Sequence, residues 1–179
     1  MKIGIDISQI AYQNTGVANY LKQFVRALLS IDSGNQYILF YSSLRIKPDF
    51  GFLQGINNPR VEVKIFHFPQ TFLNFIWNSL HVFPIEKLIG SVDLFITSDW
   101  VEPPSAKARK ATIIYDLIIN KYQKETDDTI IKTQNKRLEW VKIESDVIFC
   151  ISQSTLIDVK NIYNIDKSKL FVIYPGITL

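Results

Sequence analysis

The first thirty residues place a short strand directly in front of an amphipathic helix. Isoleucine occupies alternate positions in residues 2–8, as in a buried strand, and apolar residues recur every three or four positions over residues 17–30. The loop between them ends at Gly16. Unpaired N–H groups and the positive end of the helix dipole attract an anion at such a helix start, and glycine permits its close approach. We expect either a phosphate beside Gly16 or a glycine that only eases a tight turn.

Short apolar runs continue to alternate with helical patterns along the chain. Strands are predicted at residues 37–41, 61–66, 93–97, 111–115, 147–151 and 170–174, and helices at 71–89, 127–144 and from a capping-box-like start at Thr155. This alternation is typical of an α/β fold in which a parallel sheet is covered on both faces. The sequence therefore predicts a Rossmann-like, doubly wound parallel sheet of about seven strands.

A doubly wound sheet binds its ligands beyond the carboxyl ends of the strands. Four groups of residues follow predicted strands there: 8–16, 98–100, 115–116 and 152–154. Their hydroxyls, carboxylates and aromatic rings suit a polyhydroxylated or phosphorylated ligand. Asp99 and Asp116 are expected either to pair as acid and base or to cap helices.

Apolar residues spread over several faces of the predicted helix 71–89, which Pro84 is expected to kink or divide. A helix that is apolar nearly all round is buried in the core, forms a groove for an apolar ligand, or touches a membrane surface. The sequence leaves these three alternatives open.

Composition and missing motifs exclude several classes of protein. The 179 residues fit one domain, and a net charge of +3 is too small for a nucleic-acid surface. The seven glycines form neither G-x-G-x-x-G nor G-x-x-x-x-G-K-[ST], which disfavours dehydrogenases and P-loop NTPases. Cys150 is expected to be a buried hydrophobe, and neither His67 nor His81 has metal ligands nearby in sequence. Without a signal-peptide pattern or a spanning segment, the expected location is the cytoplasm, or the inner face of the membrane.

Several stretches, in this order, resemble the N-terminal half of retaining glycosyltransferases of the GT-B fold, a group often called family 4. Residues 2–6 (KIGID) and 15–20 (TGVANY) look like the opening strand and the G-[IV]-x-x-Y helix start of that family. Residues 111–117 (ATIIYDL) are similar to a strand that usually ends in Thr-x-x-His-Asp-Leu. Residues 146–158 and 172–177 are similar to the last strand–helix unit and its run into the interdomain linker.

The resemblance implies an enzyme of two domains, of which this chain is the first. Residues 1–174 would be the acceptor-binding domain, and residues 175–179 would begin the linker to a donor-binding domain in cis. The implied reaction transfers a hexose, preferably mannose, from a nucleotide sugar such as GDP-mannose or a UDP-sugar to a glycan or lipid-linked acceptor. Neither a cofactor nor a metal is implied.

The resemblance also implies roles for individual residues. Gly16 and the amide of Val17 would bind the phosphate of the donor, and Tyr115 and Asp116 would occupy the catalytic positions. Together with the strand-end rule, it assigns acceptor binding to Ser98, Asp99, Trp100 and Ser152. The family usually has histidine where this chain has Tyr115. A phenol with a pKa near 10 is no base at neutral pH, although it donates hydrogen bonds.

Two further hypotheses accompany the enzyme. In the first, the chain is a non-catalytic module that binds a carbohydrate or a partner, or it is the acceptor half of a split glycosyltransferase. As a non-catalytic module it would not need Gly16 and Tyr115. In the second, the chain is a generic flavodoxin-like nucleotide binder, which predicts tight binding of a free mononucleotide by these residues alone.

Overall fold

The computed structural model describes residues 1–56 and 59–176, and a parallel sheet runs through its centre. The strands are β1 (Lys2–Asp6), β2 (Gln36–Ser42), β3 (Val61–Phe66), β4 (Leu94–Ser98), β5 (Arg109–Ile114), β6 (Val147–Cys150) and β7 (Leu170–Val172). Their order is β3-β2-β1-β4-β5-β6-β7, and each neighbouring pair is parallel. The predicted α/β, doubly wound fold is confirmed, and its strand order reverses between β1 and β4.

The helices cover both faces of this sheet. They are α1 (Gly16–Ile31), α2 (Gln70–Leu73), α3 (Glu86–Ile89), α4 (Ile118–Lys121), α5 (Asp128–Glu144) and α6 (Gln153–Tyr163). A π-helical segment spans Asn74–Ser79, and 3-10 turns occur at Ser8–Ala11, Gly51–Leu53, Gln123–Glu125 and Lys167–Lys169. No helix in the described ranges is long and apolar enough to cross a membrane.

Alternation along β2 shows how the two faces are filled. Tyr37, Leu39 and Tyr41 belong to the core cluster beneath α1, whereas Phe40 faces the opposite side and packs against Trp77, with ring centroids 5.9 Å apart. This period of two is what a strand buried on both faces requires. The sheet is therefore a wall between two cores, and its carboxyl edge is free to carry a site.

Two buried residues in the strands have packing explanations. A Cβ at Gly4 of β1 would lie 2.7 Å from the ring of Phe95, so only glycine fits there. Cys150 at the end of β6 is buried, as predicted, and burial raises the pKa of its thiol to about 12. Both positions serve the core.

The region predicted as helix 71–89 is divided, and the expected break at Pro84 is confirmed. It consists of α2, the π-helical segment, an irregular stretch over residues 80–85, and α3. Leu73 and Trp77 are buried in the core, but Phe72 and Phe75 are exposed. Core burial therefore accounts for only part of this apolar segment.

Two predicted boundaries need correction. Helix α6 begins at Gln153 rather than at Thr155, because the hydroxyl of Ser152 accepts a hydrogen bond from the Thr155 N–H at 3.0 Å and so forms the cap. The first strand ends at Asp6, and a 3-10 turn follows it. The predicted linker at 175–179 extends beyond residue 176, outside the described residues, and the boundary after residue 174 stays a prediction.

Candidate functional site

Five of the eight predicted site residues line one pocket of about 160 Å³ beyond the carboxyl ends of β4 and β5. These residues are Val17, Asp99, Trp100, Tyr115 and Asp116. Val17 comes from the start of α1, and the other four follow the two strands. The structure therefore brings together residues that are up to 99 positions apart, at the edge where a doubly wound sheet binds ligands.

Gly16 is the first residue of α1, next to the pocket residue Val17. Thr15 caps the helix and accepts a hydrogen bond from the Ala18 N–H at 3.2 Å. Among the described hydrogen bonds none is donated by the N–H of Gly16 or Val17. These two amides are the donors that an anion at this helix start would use.

The local backbone gives no reason for a glycine at position 16. A Cβ there would meet no atom within 4 Å, and the residue of this loop with a positive φ is Asn14, at 67°. The turn would therefore accept another residue at this position. The predicted phosphate beside Gly16 stays a prediction, and the open space at this helix start is compatible with it.

Asp99 and Asp116 lie in the same pocket but in different environments. Burial raises the pKa of Asp99, the positive charge of Arg137 opposes that shift, and the charge of Asp116 adds to it. Asp99 also accepts a hydrogen bond from Gln134 at 3.3 Å. Asp116 is exposed, and its Oδ1 accepts from the Ile118 N–H at the start of α4 at 3.0 Å. One carboxyl is thus biased toward its protonated form while the other is solvated, which is the division of roles that acid–base chemistry needs.

Tyr115 lines the pocket, and its hydroxyl is bonded to a fully buried residue. The hydroxyl shares a hydrogen bond of 2.8 Å with Ser98, and the ring packs edge-on against Tyr20. Burial raises the pKa of Tyr115 above its usual value, so the phenol is neutral at physiological pH. Tyr115 is therefore suited to shaping the pocket and not to abstracting a proton.

Ser98 and Ser152 lie outside the pocket lining, and their expected role in acceptor binding stays a prediction. Ser98 is fully buried and bonded to Tyr115, so it reaches the pocket only through that side chain. Ser152 caps α6, where its hydroxyl is 2.9 Å from that of Thr155, and the Thr155 hydroxyl in turn donates to the carbonyl of Tyr115 at 3.0 Å. Both serines position the end of β5.

Gln134 and Arg137 of α5 also line the pocket, and sequence reasoning did not select them. Arg137 is buried, and its Nη2 donates to the Thr112 hydroxyl at 2.7 Å and to the Ile113 carbonyl at 3.2 Å. Both residues belong to a helix rich in lysine and other polar residues. In such a helix, the sequence does not distinguish an arginine that faces the protein interior from one that is exposed to solvent. The only local feature of the sequence that relates them is their spacing of three residues, about one helical turn, which places both on the same face of the helix.

Arg137 belongs to a buried network of charged side chains next to the pocket. Its Nε lies 4.0 Å from the carboxylate of Glu102, which accepts a hydrogen bond of 2.6 Å from the Thr97 hydroxyl. Glu102 pairs with Lys110 at 2.8 Å, and Lys110 pairs with Glu144 at 2.7 Å. Because Glu102 and Lys110 are almost without solvent contact, each of their charges depends on the other.

Asp6 ends β1 at the same edge of the sheet, and burial raises the pKa of its carboxyl from 3.8 to about 6, against hydrogen bonds from Ser8. Between pH 4 and 7 the native state thus binds more protons at Asp6 than the unfolded state, so stability falls as pH rises through this window. In the Asp6→Asn variant, the free energy of unfolding should fall by about 3 kcal/mol less over this pH range, because a shift in pKa between the native and unfolded states corresponds to a difference in free energy. Urea unfolding at several pH values measures this difference. If the free energy of unfolding depended on pH in the same way in both proteins, the Asp6 carboxyl would not titrate as described.

The pocket offers groups for a polyhydroxylated ligand with an anion beside it. Asp99, Asp116 and Gln134 accept or donate hydrogen bonds, and Trp100 is a half-buried aromatic wall. The N–H groups of Gly16 and Val17 at the start of α1 are placed to bind the anion. Within residues 1–56 and 59–176, no cluster of three His, Cys, Asp or Glu side chains could hold a metal ion.

No protein-family model matches this sequence, and no curated protein is significantly similar to it. The likeness to GT-B glycosyltransferases consequently depends on the motifs quoted above and stays a prediction. The geometry of the pocket is independent of that likeness.

Proposed function

We propose that this chain is the acceptor-binding domain of a retaining, nucleotide-sugar-dependent glycosyltransferase. The observation that carries the proposal is the pairing of two unbonded amides, at Gly16 and Val17, with an adjoining pocket walled by Asp99, Trp100 and Asp116. The first element suits a phosphate and the second suits sugar hydroxyls. A transferase that moves a sugar from a diphosphate to a hydroxyl needs both within one cleft.

In this proposal the bond between the anomeric carbon and the donor diphosphate breaks, and a bond to an acceptor oxygen forms. The Gly16 and Val17 amides and the dipole of α1 stabilise the charge that develops on the leaving diphosphate. The acceptor lies in the pocket, and its hydroxyl proton passes to the exposed carboxylate of Asp116. Tyr115 shapes the pocket through Ser98 and takes no proton.

The remaining parts of the proposal follow from the family resemblance alone. A donor-binding domain after residue 176 would hold the nucleotide, and a hexose donor such as GDP-mannose or a UDP-sugar would supply the sugar. The acceptor would be a glycan or a lipid-linked sugar. No cofactor takes part.

Acceptor binding by this chain is testable without the donor domain. Saturation-transfer NMR of the 179-residue chain with a panel of methyl hexosides should detect binding, and Asp116→Asn should weaken it about tenfold through loss of a charged hydrogen bond. Asp49→Asn is the matched control, because Asp49 is also exposed and accepts from the N–H two residues on, that of Gly51, at 2.8 Å. Equal weakening by both variants, or tight binding of GMP or UMP without any hexoside, would contradict the proposal.

A further inference from the structure

The segment after α2 exposes an unusual amount of apolar surface. Phe72, Phe75, Leu80, Val82 and Phe83 are between 43% and 56% exposed, and together we call them the 72–83 face. Residues 70–83 contain no Asp, Glu, Lys or Arg. Apolar patches of this kind are uncommon on soluble proteins and mark surfaces that contact a membrane or another protein.

A groove of about 230 Å³ runs under this face, and all the side chains lining it are apolar. Phe72 and Phe83 border it, and Trp77 and Leu88 form part of its floor. The groove is open beside the exposed rings, so the 72–83 face combines protruding apolar groups with a depression between them. Hydrocarbon chains fill such a surface without leaving polar groups unpaired.

The backbone holds these side chains outward at some cost. The chain runs as a π-helix over Asn74–Ser79, and both His81 and Phe83 have positive φ, at 51° and 69°. The indole of Trp77 donates to the Phe83 carbonyl at 3.0 Å and so fixes this turn. A bulky aromatic residue rarely adopts positive φ, and such backbone is found where the surrounding structure imposes it for function.

Two lysines lie beside the 72–83 face, and two neighbouring acids are already engaged. Lys136 of α5 donates to the Ser79 hydroxyl at 3.0 Å, and Lys87 precedes the groove residue Leu88. Glu86 accepts hydrogen bonds from the amides of residues 106–108, and Glu144 is paired with Lys110 and His81. Glu86 keeps its charge but directs it at those amides, whereas neither Lys87 nor Lys136 forms an ion pair within the described residues. Two unpaired cations are therefore available at this rim.

We propose that the 72–83 face docks on the surface of a bilayer that contains anionic lipids. Phe72, Phe75 and Phe83 insert at the boundary between head groups and acyl chains, and Lys87 and Lys136 face the lipid phosphates. Exposed aromatic rings beside lysines are the chemistry of an interfacial surface. A protein partner is less favoured, because it would have to supply both an apolar patch and matching acids.

Docking there would also orient the candidate site. Asn78, which follows the buried Trp77, donates to the carbonyl of Trp100 at 2.8 Å and accepts from the Glu102 N–H at 2.9 Å. These hydrogen bonds thus join the segment that carries the 72–83 face to the wall of the pocket. The proposal holds whether or not the pocket transfers a sugar.

Sedimentation of the full chain with vesicles tests the proposal. The wild type should bind vesicles of phosphatidylcholine mixed with phosphatidylglycerol, and it should bind vesicles of pure phosphatidylcholine more weakly. Phe75→Ser should lower the partition coefficient at least about tenfold, as expected for one phenyl ring withdrawn from an apolar phase. Lys87→Gln and Lys136→Gln should each lower it about fivefold on the anionic vesicles.

Phe171→Ser is the matched control, because Phe171 is 50% exposed on β7, at the opposite edge of the sheet from β3. It should bind vesicles like the wild type. Three results would overturn the proposal: no binding to the anionic vesicles, equal loss with Phe75→Ser and Phe171→Ser, or equal binding to neutral and anionic vesicles. Self-association that Phe75→Ser abolishes, without vesicle binding, would instead assign the 72–83 face to contact between copies of this chain.

Discussion

Lys110→Met is expected to destabilise the fold by about 3–5 kcal/mol, the usual cost of leaving a buried charge without its partner. Lys110 is only 3% exposed and lies between Glu102 at 2.8 Å and Glu144 at 2.7 Å. Methionine fills much the same volume but leaves Glu102, which has no contact with solvent, with the more distant Arg137 at 4.0 Å as its remaining counter-charge. Denaturation by urea measures the loss, which is a large fraction of the stability of an ordinary domain.

Two further variants separate the charge effect from a loss of packing. Lys110→Met combined with Glu102→Gln should recover part of the lost stability, because the double variant no longer buries a carboxylate beside an apolar side chain. The recovery is only partial because the buried Arg137 then loses the carboxylate 4.0 Å from its Nε. Lys121→Met removes the exposed pair with Asp158, 2.6 Å apart, and should cost less than about 1 kcal/mol. A loss no larger for Lys110→Met than for Lys121→Met would show that the network contributes little to stability.

Gly16→Val is expected to abolish sugar transfer while leaving the fold intact. In the proposed function, a branched side chain at the start of α1 would occupy the space of the donor phosphate, and a lost oxyanion-type contact typically lowers turnover about 100-fold or more. Stability should change by less than about 1 kcal/mol, since a Cβ at position 16 meets no atom within 4 Å and the substitution lowers the entropy of the unfolded chain. Circular dichroism and urea unfolding check the fold.

Gly34→Val provides a control at the other end of α1. Gly34 lies in the turn between α1 and β2, its φ is not positive, and a Cβ there would be 3.6 Å from Asp32, an ordinary contact. This variant should keep both fold and transfer. The contrast between the two glycines therefore separates a ligand effect from a general effect of adding a side chain.

The sheet was predictable because its signal is local. Each strand is a short β-branched or aromatic run. The rule that ligands lie at the carboxyl ends of strands predicts that Asp99, Trp100, Tyr115 and Asp116 lie together, and they line one pocket in the structure. The break in the 71–89 region was also predictable from Pro84. The π-helical geometry of residues 74–79 was not predicted, and neither was the turn that follows it, in which the Trp77 indole donates to the Phe83 carbonyl.

The ionic network next to the pocket could not be predicted from the sequence, for a different reason. Glu102 follows β4, Lys110 lies in β5 and Arg137 lies in α5, so no spacing in the sequence relates them. Charged residues are usually exposed, and only the packing of α5 against the sheet reveals that these are not. The same packing explains why Ser98 and Ser152, chosen for their position after strands, position β5 and α6 and do not line the pocket.

Transfer of a labelled hexose by the native protein tests the proposed function most directly. The protein is captured by antibody from extracts of its source, with any domain or partner it carries, and supplied with labelled GDP-mannose or UDP-glucose and a mixture of glycan and lipid-linked acceptors. We predict label in the acceptor fraction from the wild type and none from a strain that carries Gly16→Val. Equal transfer by both strains would contradict the phosphate role of Gly16, and an absence of transfer from either donor would contradict the glycosyltransferase.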